Sequence, residues 1–316
     1  MPRNILVTGG AGFIGSHLVR ALVARGDAVR VVDDLSSGKR ENLAGVEIDA
    51  RGPVAIVEGS ILDDRLLDQT MAGAEVVFHE AAIPSVPRSL AAPIASHEVN
   101  ATGTLRVLEA ARRHGVRRVV YAGSSSAYGE TPTSPKVEIM PASPLSPYAV
   151  SKLTGEHYCQ VWARVFGVET VVLRYFNVFG PGQDPMSQYA AVIPRFVTAA
   201  LQGRAPVIYG DGSQSRDFCF IDNVVQANLL AADAPGVSGG VFNIACGHAI
   251  DLNQVVRLIG DALGRALTPQ YEPERPGDIK HSLADVTAAR ALLRYTPAVL
   301  FTQGLERTIE WYKRAR

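Results

Sequence analysis

The chain has 316 residues, 47% apolar and 20% charged, and its 31 basic residues are balanced by 31 acidic ones. That length carries one large or two modest domains with a real core, and the balance excludes a broad basic field for nucleic acid or an anionic membrane. Three scattered cysteines, Cys159, Cys219 and Cys246, form neither a metal-ligand spacing nor a disulfide framework, which fits a reducing cytoplasm. No apolar run reaches the roughly 18 residues of a membrane helix, and the N-terminus enters a strand without a signal-peptide pattern.

Asn4–Val7 is a short apolar run that opens into the glycine turn of "VTGGAGFIGSH". In the following "SHLVRALVARG", Leu18, Ala21 and Leu22 recur at helical spacing, and Gly26 stands where a helix would stop. Ala28–Val32 predicts the next strand, which completes one βαβ unit. Further strands are predicted at Val54–Val57, Val76–His79, Val116–Ala122 and Thr170–Tyr175, with patterned helices such as Val99–His114 between them. This alternation implies an α/β fold, a doubly wound parallel-sheet Rossmann domain covered on both faces. It fades near Gly180, where loops richer in Pro and Gly predict a smaller mixed α/β substrate domain. The expected division is 1–178 for nucleotide binding and 179–316 for substrate, with some C-terminal segments free to return to the first part.

Three constellations carry chemistry. The glycine turn joins a strand to a helix, where backbone N–H groups and the helix N-terminus can hold a pyrophosphate. It reads in two registers, Gly10–Gly12–Gly15 or Gly9–Gly12–Gly15, and a plain tight turn would look the same. Asp33, at the end of the second strand, can accept from adenosine ribose hydroxyls and would repel a 2′-phosphate, which favours NAD over NADP. Lys39 and Arg40 follow closely and pull the other way. In "SPYAVSK", Ser146 is a good N-cap and Pro147 suits the first helical position. Tyr148 and Lys152 then share a helix face, where an ammonium would lower the phenol's pKa and make Tyr148 a proton-transfer group. In "YAGSSSAYGE", Ser124 stands at a strand's carboxyl end, where side chains meet a ligand crevice. Alone, each is matched by a bland reading: an exposed Tyr–Lys pair, or a serine-rich loop.

Taken in order, the three pieces resemble the extended short-chain dehydrogenase/reductases, in which the first motif is read Gly9, Gly12, Gly15. "DDLSSGKREN", "SSSAYGE", "LSPYAVSKLTGE", "LRYFNVFGPGQDP", "SRDFCFIDNVVQANLL" and "GDIKHSLADV" extend the similarity over nearly the whole chain. This pattern is similar to the UDP-hexose 4-epimerases, nearest the bacterial branch acting on UDP-N-acetylhexosamines. The resemblance implies retained NAD, held by Gly9, Gly12, Phe13, Ile14, Gly15, Asp33, Asp34, Leu35, Ser37, Gly38, Ser60, Ile61, Ala81, Ala82, Asn100, Tyr148, Lys152 and Tyr175. It implies catalysis by Tyr148, Lys152 and Ser124, with Ser125 also near O4. Asn177, Arg216 and Arg275 would meet the diphosphate, Val192, Val207 and Tyr209 the uracil, and Asp278 the ribose or an arginine.

The resemblance also separates related activities. Dehydratases and decarboxylases of the superfamily carry an acid soon after the strand-end hydroxyl; Ser125 and Ser126 stand there here. Uronate epimerases place an arginine after the "RYF" strand; this chain has Gly182 and Asp184, and Asp184 would oppose an anionic sugar. Ser282 stands where strict UDP-glucose epimerases are bulky, which leaves room for an acetamido group. Three departures are Ser60 for an acid near adenine, Ala190 and Ala191 for amide side chains, and Pro84 for a lysine near the pyrophosphate. A UDP-glucuronate epimerase, another nucleotide-sugar oxidoreductase and an NAD-sensing scaffold are the alternatives; intact Tyr148 and Lys152 speak against the scaffold. The seven histidines form no metal set, and His17 reads as a packing or phosphate-adjacent residue. The resemblance further implies a homodimer through helices about Ala95–His114 and Tyr148–Phe166.

Overall fold

The computed structural model describes residues 2–46, 54–185, 191–274 and 280–315. Its centre is a seven-stranded parallel sheet. The strands contributed first are β1 (Asn4–Thr8), β2 (Ala28–Asp33), β3 (Val54–Glu58), β4 (Val76–His79), β5 (Arg118–Ser124) and β6 (Glu169–Tyr175). Side chains alternate between faces along each strand. Ile5 and Val7 enter one apolar core, and Leu6 enters the other.

Helices α1 (Phe13–Arg25), α2 (Asp64–Met71), α3 (Val86–Ala91), α4 (Pro93–His97), α5 (Gly103–Arg113) and α6 (Pro147–Val161) connect these strands. Gly26 ends α1 in a left-handed conformation, φ 93°, and its N–H returns to Leu22 and Val23. Ser146 caps α6 through Oγ, which accepts from the Ala149 N–H at 3.1 Å, with Pro147 in the first turn.

Beyond residue 178 lie β7 (Val178–Phe179), α7 (Val192–Leu201), β8 (Val207–Tyr209), β9 (Ser215–Asp217), β10 (Cys219–Phe220), α8 (Ile221–Asp233), β11 (Gly240–Ile244), β12 (Ala249–Asp251), α9 (Leu252–Ala262), β13 (Gln270–Glu272), β14 (His281–Ser282) and α10 (Phe301–Arg314). The main sheet runs β11-β6-β5-β4-β1-β2-β3. Its seventh strand therefore comes from the later part of the chain, pairing Gly240–Ile244 with Val171–Tyr175. Helix α8 packs on α1 and covers β5 and β6, so the sheet draws on both sides of residue 178. Short strands build the rest: β9 pairs with β12 and β14, β7 with β10, and β8 with β13. Among the described residues no helix is long and apolar enough to cross a membrane.

The order reverses at β1, with β2 on one side and β4 on the other. In open parallel sheets a crevice opens beyond the strand ends at such a switch point. The glycine turn, Glu80, Ser124 and Tyr175 all lie at or just beyond carboxyl ends of β1, β4, β5 and β6.

Candidate active site

The glycine turn is built by close backbone approach. Gly9 adopts φ +71°, and a Cβ there would stand 2.6 Å from the Ala81 nitrogen. A Cβ on Gly15 would lie 2.8 Å from the Gly10 Cα and nearer still to the Gly9 carbonyl oxygen. Gly10 differs, since a Cβ there would meet only side-chain methyls, Val31 Cγ1 at 2.7 Å first. The backbone constraint thus falls on Gly9 and Gly15. Gly12 precedes α1 with no side-chain cap, and the first turn holds no acid. The orphan N–H groups there suit an anion, so this cradle fits a dinucleotide's pyrophosphate.

Asp33 is buried, and its carboxylate accepts from the Ala11 N–H at 2.9 Å and the Leu35 N–H at 2.9 Å. Burial raises its pKa against those bonds. It therefore holds the turn together, and Gly38 leaves it room, since a Cβ would stand 2.8 Å from Oδ1. Leu35 takes a positive φ of 57°, and the Ser36 N–H donates to Asp34 Oδ1 at 2.9 Å. The two cations weighed against an NAD preference are engaged elsewhere: Lys39 with Asp184 at 3.0 Å, Arg40 with Glu58 at 2.7 Å. Ser60 turns its Oγ to the Leu62 N–H, and Ile61 is buried beneath Gly103.

Asn100 is only 1% exposed, with Oδ1 on the Ile83 N–H and Nδ2 donating to Ile83 O and Ser151 Oγ. Its amide pins the segment after β4 to α6. His17 joins Pro181 O through Nε2 at 2.9 Å and packs edge-on to Phe13, a packing role.

Helix α6 lies close on β5 because Gly155 has no side chain; a Cβ would stand 2.7 Å from Tyr121 Cζ. The Lys152 ammonium consequently sits 4.4 Å over the Tyr121 ring centroid, and Lys152 is 3% exposed. Burial draws its pKa down to about 8, opposed by Glu80. Tyr148, one turn earlier, lines the same cavity as Ser124, whose hydroxyl acts on its phenol. The expected depression of its phenol is not found. Burial is the larger influence and raises its pKa, with the Ser124 hydroxyl opposing it. Ser124 Oγ also bonds Ser126 Oγ at 2.7 Å.

A cavity of about 340 Å³ joins Ser124, Ser125, Tyr148, Tyr175, Asn177, Arg216 and Ser282, with Ile14 at its edge. A second, of about 230 Å³, is lined by Ala191, Val192, Arg195, Val207, Tyr209 and Gln214. Asn177, Val178 and Arg216 border both, making one cleft. No Asp or Glu lines the first cavity among the described residues. Asp184 is not there; its partner is Lys39, so its charge does not oppose an anionic sugar as expected. Asn177 takes a left-handed φ of 35° and donates Nδ2 to Asp217 O at 3.1 Å. Arg216 donates to the carbonyls of Ser215 and Lys280. Arg275, Asp278 and Ala190 lie outside the described residues.

Two groups escaped the reading of the sequence. Arg195 lies 5.6 Å over the Tyr209 ring centroid in the second cavity. Asp217 is buried, accepting the N–H groups of Cys246 at 2.9 Å, Gly247 at 2.9 Å and Ala284 at 3.2 Å. It ties β9, the turn after β11 and the end of β14 together beside Arg216. Burial pushes its carboxyl up to about 6 despite these bonds. Asp217→Asn would set an amide N–H against at least one N–H donor, that of Cys246, while its oxygen keeps those of Gly247 and Ala284. The amide escapes the desolvation cost of a carboxylate, so the expected net loss is about 1–3 kcal/mol of stability, read from denaturant midpoints. An unchanged midpoint would contradict this role.

A family model described as the NAD dependent epimerase/dehydratase family matches residues 5–245. The chain is 40% identical to a UDP-glucose 4-epimerase of Mycolicibacterium smegmatis, over 98% of each chain. The structure of a UDP-N-acetylglucosamine 4-epimerase from Methanobrevibacter ruminantium, in complex with UDP-N-acetylmuramic acid, superposes with a TM-score of 0.95 at 40% identity, covering 100% of this chain and 99% of that one. A UDP-glucose 4-epimerase from Thermotoga maritima with UDP-glucose gives 0.93 at 39% identity, covering 99% of each.

Proposed function

Since the chain belongs to the NAD dependent epimerase/dehydratase family, we propose that it inverts the C4 hydroxyl of UDP-hexoses, N-acetylated ones included. The observation that carries this is the convergence of Ser124 and Tyr148 in a cavity whose described lining has no carboxylate, with Lys152 one turn along α6 from Tyr148. Dehydration or decarboxylation needs further acid–base groups there. Proton transfer at one hydroxyl needs only Tyr148.

NAD is the family's cofactor; the Gly9–Gly15 turn, Asp33, Tyr148 and Lys152 would hold it, and it would supply a reversible hydride acceptor for C4. Tyr148 takes the O4 proton while Ser124 orients that oxygen, and Lys152 stabilises the phenolate. The proton comes back from Tyr148 after the 4-keto sugar has turned over in the cavity. Arg216 and Asn177 are assigned to the diphosphate, where a guanidinium fork suits phosphate oxygens. Val192, Val207 and Tyr209 are assigned to uracil.

The test is product analysis after separate incubation with UDP-N-acetylglucosamine, UDP-glucose and UDP-glucuronate, without added NAD. C4 epimers of the first two are expected, with no net NADH. Formation of a 4-epimer from UDP-glucuronate alone would replace this reading with the uronate one. Ser282 lines the sugar-end cavity, and Ser282→Tyr should lower turnover of UDP-N-acetylglucosamine at least about a hundredfold while sparing UDP-glucose, because exclusion works by overlap. Equal loss on both sugars would sink the gate.

The reading extends to a cytoplasmic homodimer. All three cysteines are free thiols, in keeping with a reducing compartment. Val150, Val161 and Val165 are exposed along α6 and its continuation, and Ile94 in α4 is 74% exposed. Such apolar exposure supports a partner surface there.

A further inference from the structure

The connection between β5 and α6 passes Gly129 and Lys136, which line the sugar-end cavity together with Ser282. Lys136 is only 3% exposed, and a buried ammonium needs compensation. The compensation is local. Its Nζ donates to Thr131 O at 2.8 Å, Thr131 Oγ1 at 2.7 Å and Thr133 O at 2.9 Å. An ammonium has three donors, so all of them are spent on the loop that Lys136 closes. The residue therefore gives the cavity a wall and no free hydrogen bond.

The main chain of the same residue reaches the segment that follows Ser282. The Lys136 N–H donates to Leu283 O at 2.8 Å, and Lys136 O accepts from the Asp285 N–H at 2.9 Å, a parallel bridge centred on Ala284. Asn243 of β11, wholly buried, secures the junction. Its Nδ2 donates to Lys136 O at 2.9 Å and to Asp285 O at 3.0 Å, and its Oδ1 accepts from the hydroxyl of Tyr128, another cavity residue, at 2.7 Å. Ser282 itself pairs with Arg216 of β9. The small residue at the sugar end thus stands between a strand pairing and the Lys136 bridge, and the loop carrying that bridge is closed by the ammonium.

We propose that Lys136 is a positioning residue for sugar selection: its ammonium keeps the Thr131–Lys136 loop closed against the Ser282 segment and so fixes the wall beside the room for a C2 acetamido group. The inference deepens the reading of Ser282 as a gate and rests on it. Selection by overlap works only where the walls do not yield. Ser282 leaves the room through its small side chain, and Lys136 keeps the adjoining wall from moving when that room is filled. A plain hexose carries only a hydroxyl at C2 and makes little use of that wall.

The test is the affinity of the NAD-loaded enzyme for UDP-N-acetylglucosamine and for UDP-glucose by titration calorimetry, in a Tyr148→Phe background so that neither sugar is turned over. Lys136→Met keeps the length of the side chain and the main-chain bridge but removes all three bonds that close the loop. It should weaken UDP-N-acetylglucosamine about tenfold and UDP-glucose less than about twofold. With Tyr148 present, the loss should fall on KM for the acetylated sugar and leave kcat nearly unchanged. Thr131→Val takes away one acceptor only; it should shift the same ratio about two- to threefold, and it carries the test if Lys136→Met fails to fold. A merely structural role would weaken both sugars alike, so an unchanged ratio in both variants overturns the proposal. If Ser282→Tyr still separates the two sugars, that result overturns the proposal and leaves the gate standing. A shifted ratio with no turnover of either sugar would uphold the proposal and count against the epimerase reading alone.

Discussion

Tyr148→Phe is expected to reduce epimerase turnover by about a thousandfold or more, within the range for loss of a positioned proton-transfer group, while UDP-sugar binding is retained. The ring stays on α6 and keeps its packing; only the phenol oxygen, which shares the cavity with Ser124, is lost. Lys152 cannot substitute, because its ammonium lies over the Tyr121 ring and carries no base function while charged. Single-turnover measurements and titration of UDP binding separate the two effects. A variant that keeps wild-type turnover would remove Tyr148 from the mechanism.

The second large effect is expected at the glycine turn. Gly9→Ala places a methyl 2.6–2.9 Å from three backbone atoms, Ala81 N and Cα and the Glu80 carbonyl carbon, at a φ of +71°. The left-handed conformation alone costs roughly 1–2 kcal/mol, and backbone on a central strand end cannot swing aside as a side chain can. Relief requires the turn to move off β4, which spoils the cradle for the pyrophosphate. The variant should therefore lose most of its retained NAD on desalting, read as nucleotide released by acid per chain. Gly10→Ala is the matched control, since its methyl meets only Val31 and Val19 methyl groups, and it should retain more. If Gly10→Ala lost the cofactor and Gly9→Ala kept it, the register assigned to this loop would be wrong.

Local rules explain what was legible in the sequence. Helix α6 could be placed from Ser146 and Pro147 because a cap and a first-turn proline act within four residues. Tyr148 and Lys152 then followed from helical spacing, and Ser124 from its place at the end of an apolar run. The pKa of Tyr148 was not legible, because burial depends on what packs around the phenol and not on its neighbours in sequence. Glu80 stands at the end of "VVFHE" by the same rule that singled out Ser124. An acid at that point equally well marks an ordinary strand stop, and its bond to Tyr175, 95 residues later, emerges only from the fold. Asp217 was hidden for a related reason. Its donors, Cys246, Gly247 and Ala284, come from segments 29 to 67 residues away. Asp184 misled because its partner, Lys39, lies 145 residues earlier.

The strand β11 has a consequence for how the chain is made. Its partner β6 ends at Tyr175, and every residue from Thr170 to Leu173 is buried in the finished sheet. During synthesis from the N-terminus, that apolar strand presents an open row of backbone donors and acceptors until Ile244 has emerged. Such edges invite pairing with other chains, and closing them across a long intervening segment is slow. The nascent protein thus carries an open apolar edge between the completion of β6 and the arrival of β11, and a ribosome stall in that window would be more harmful than one after it.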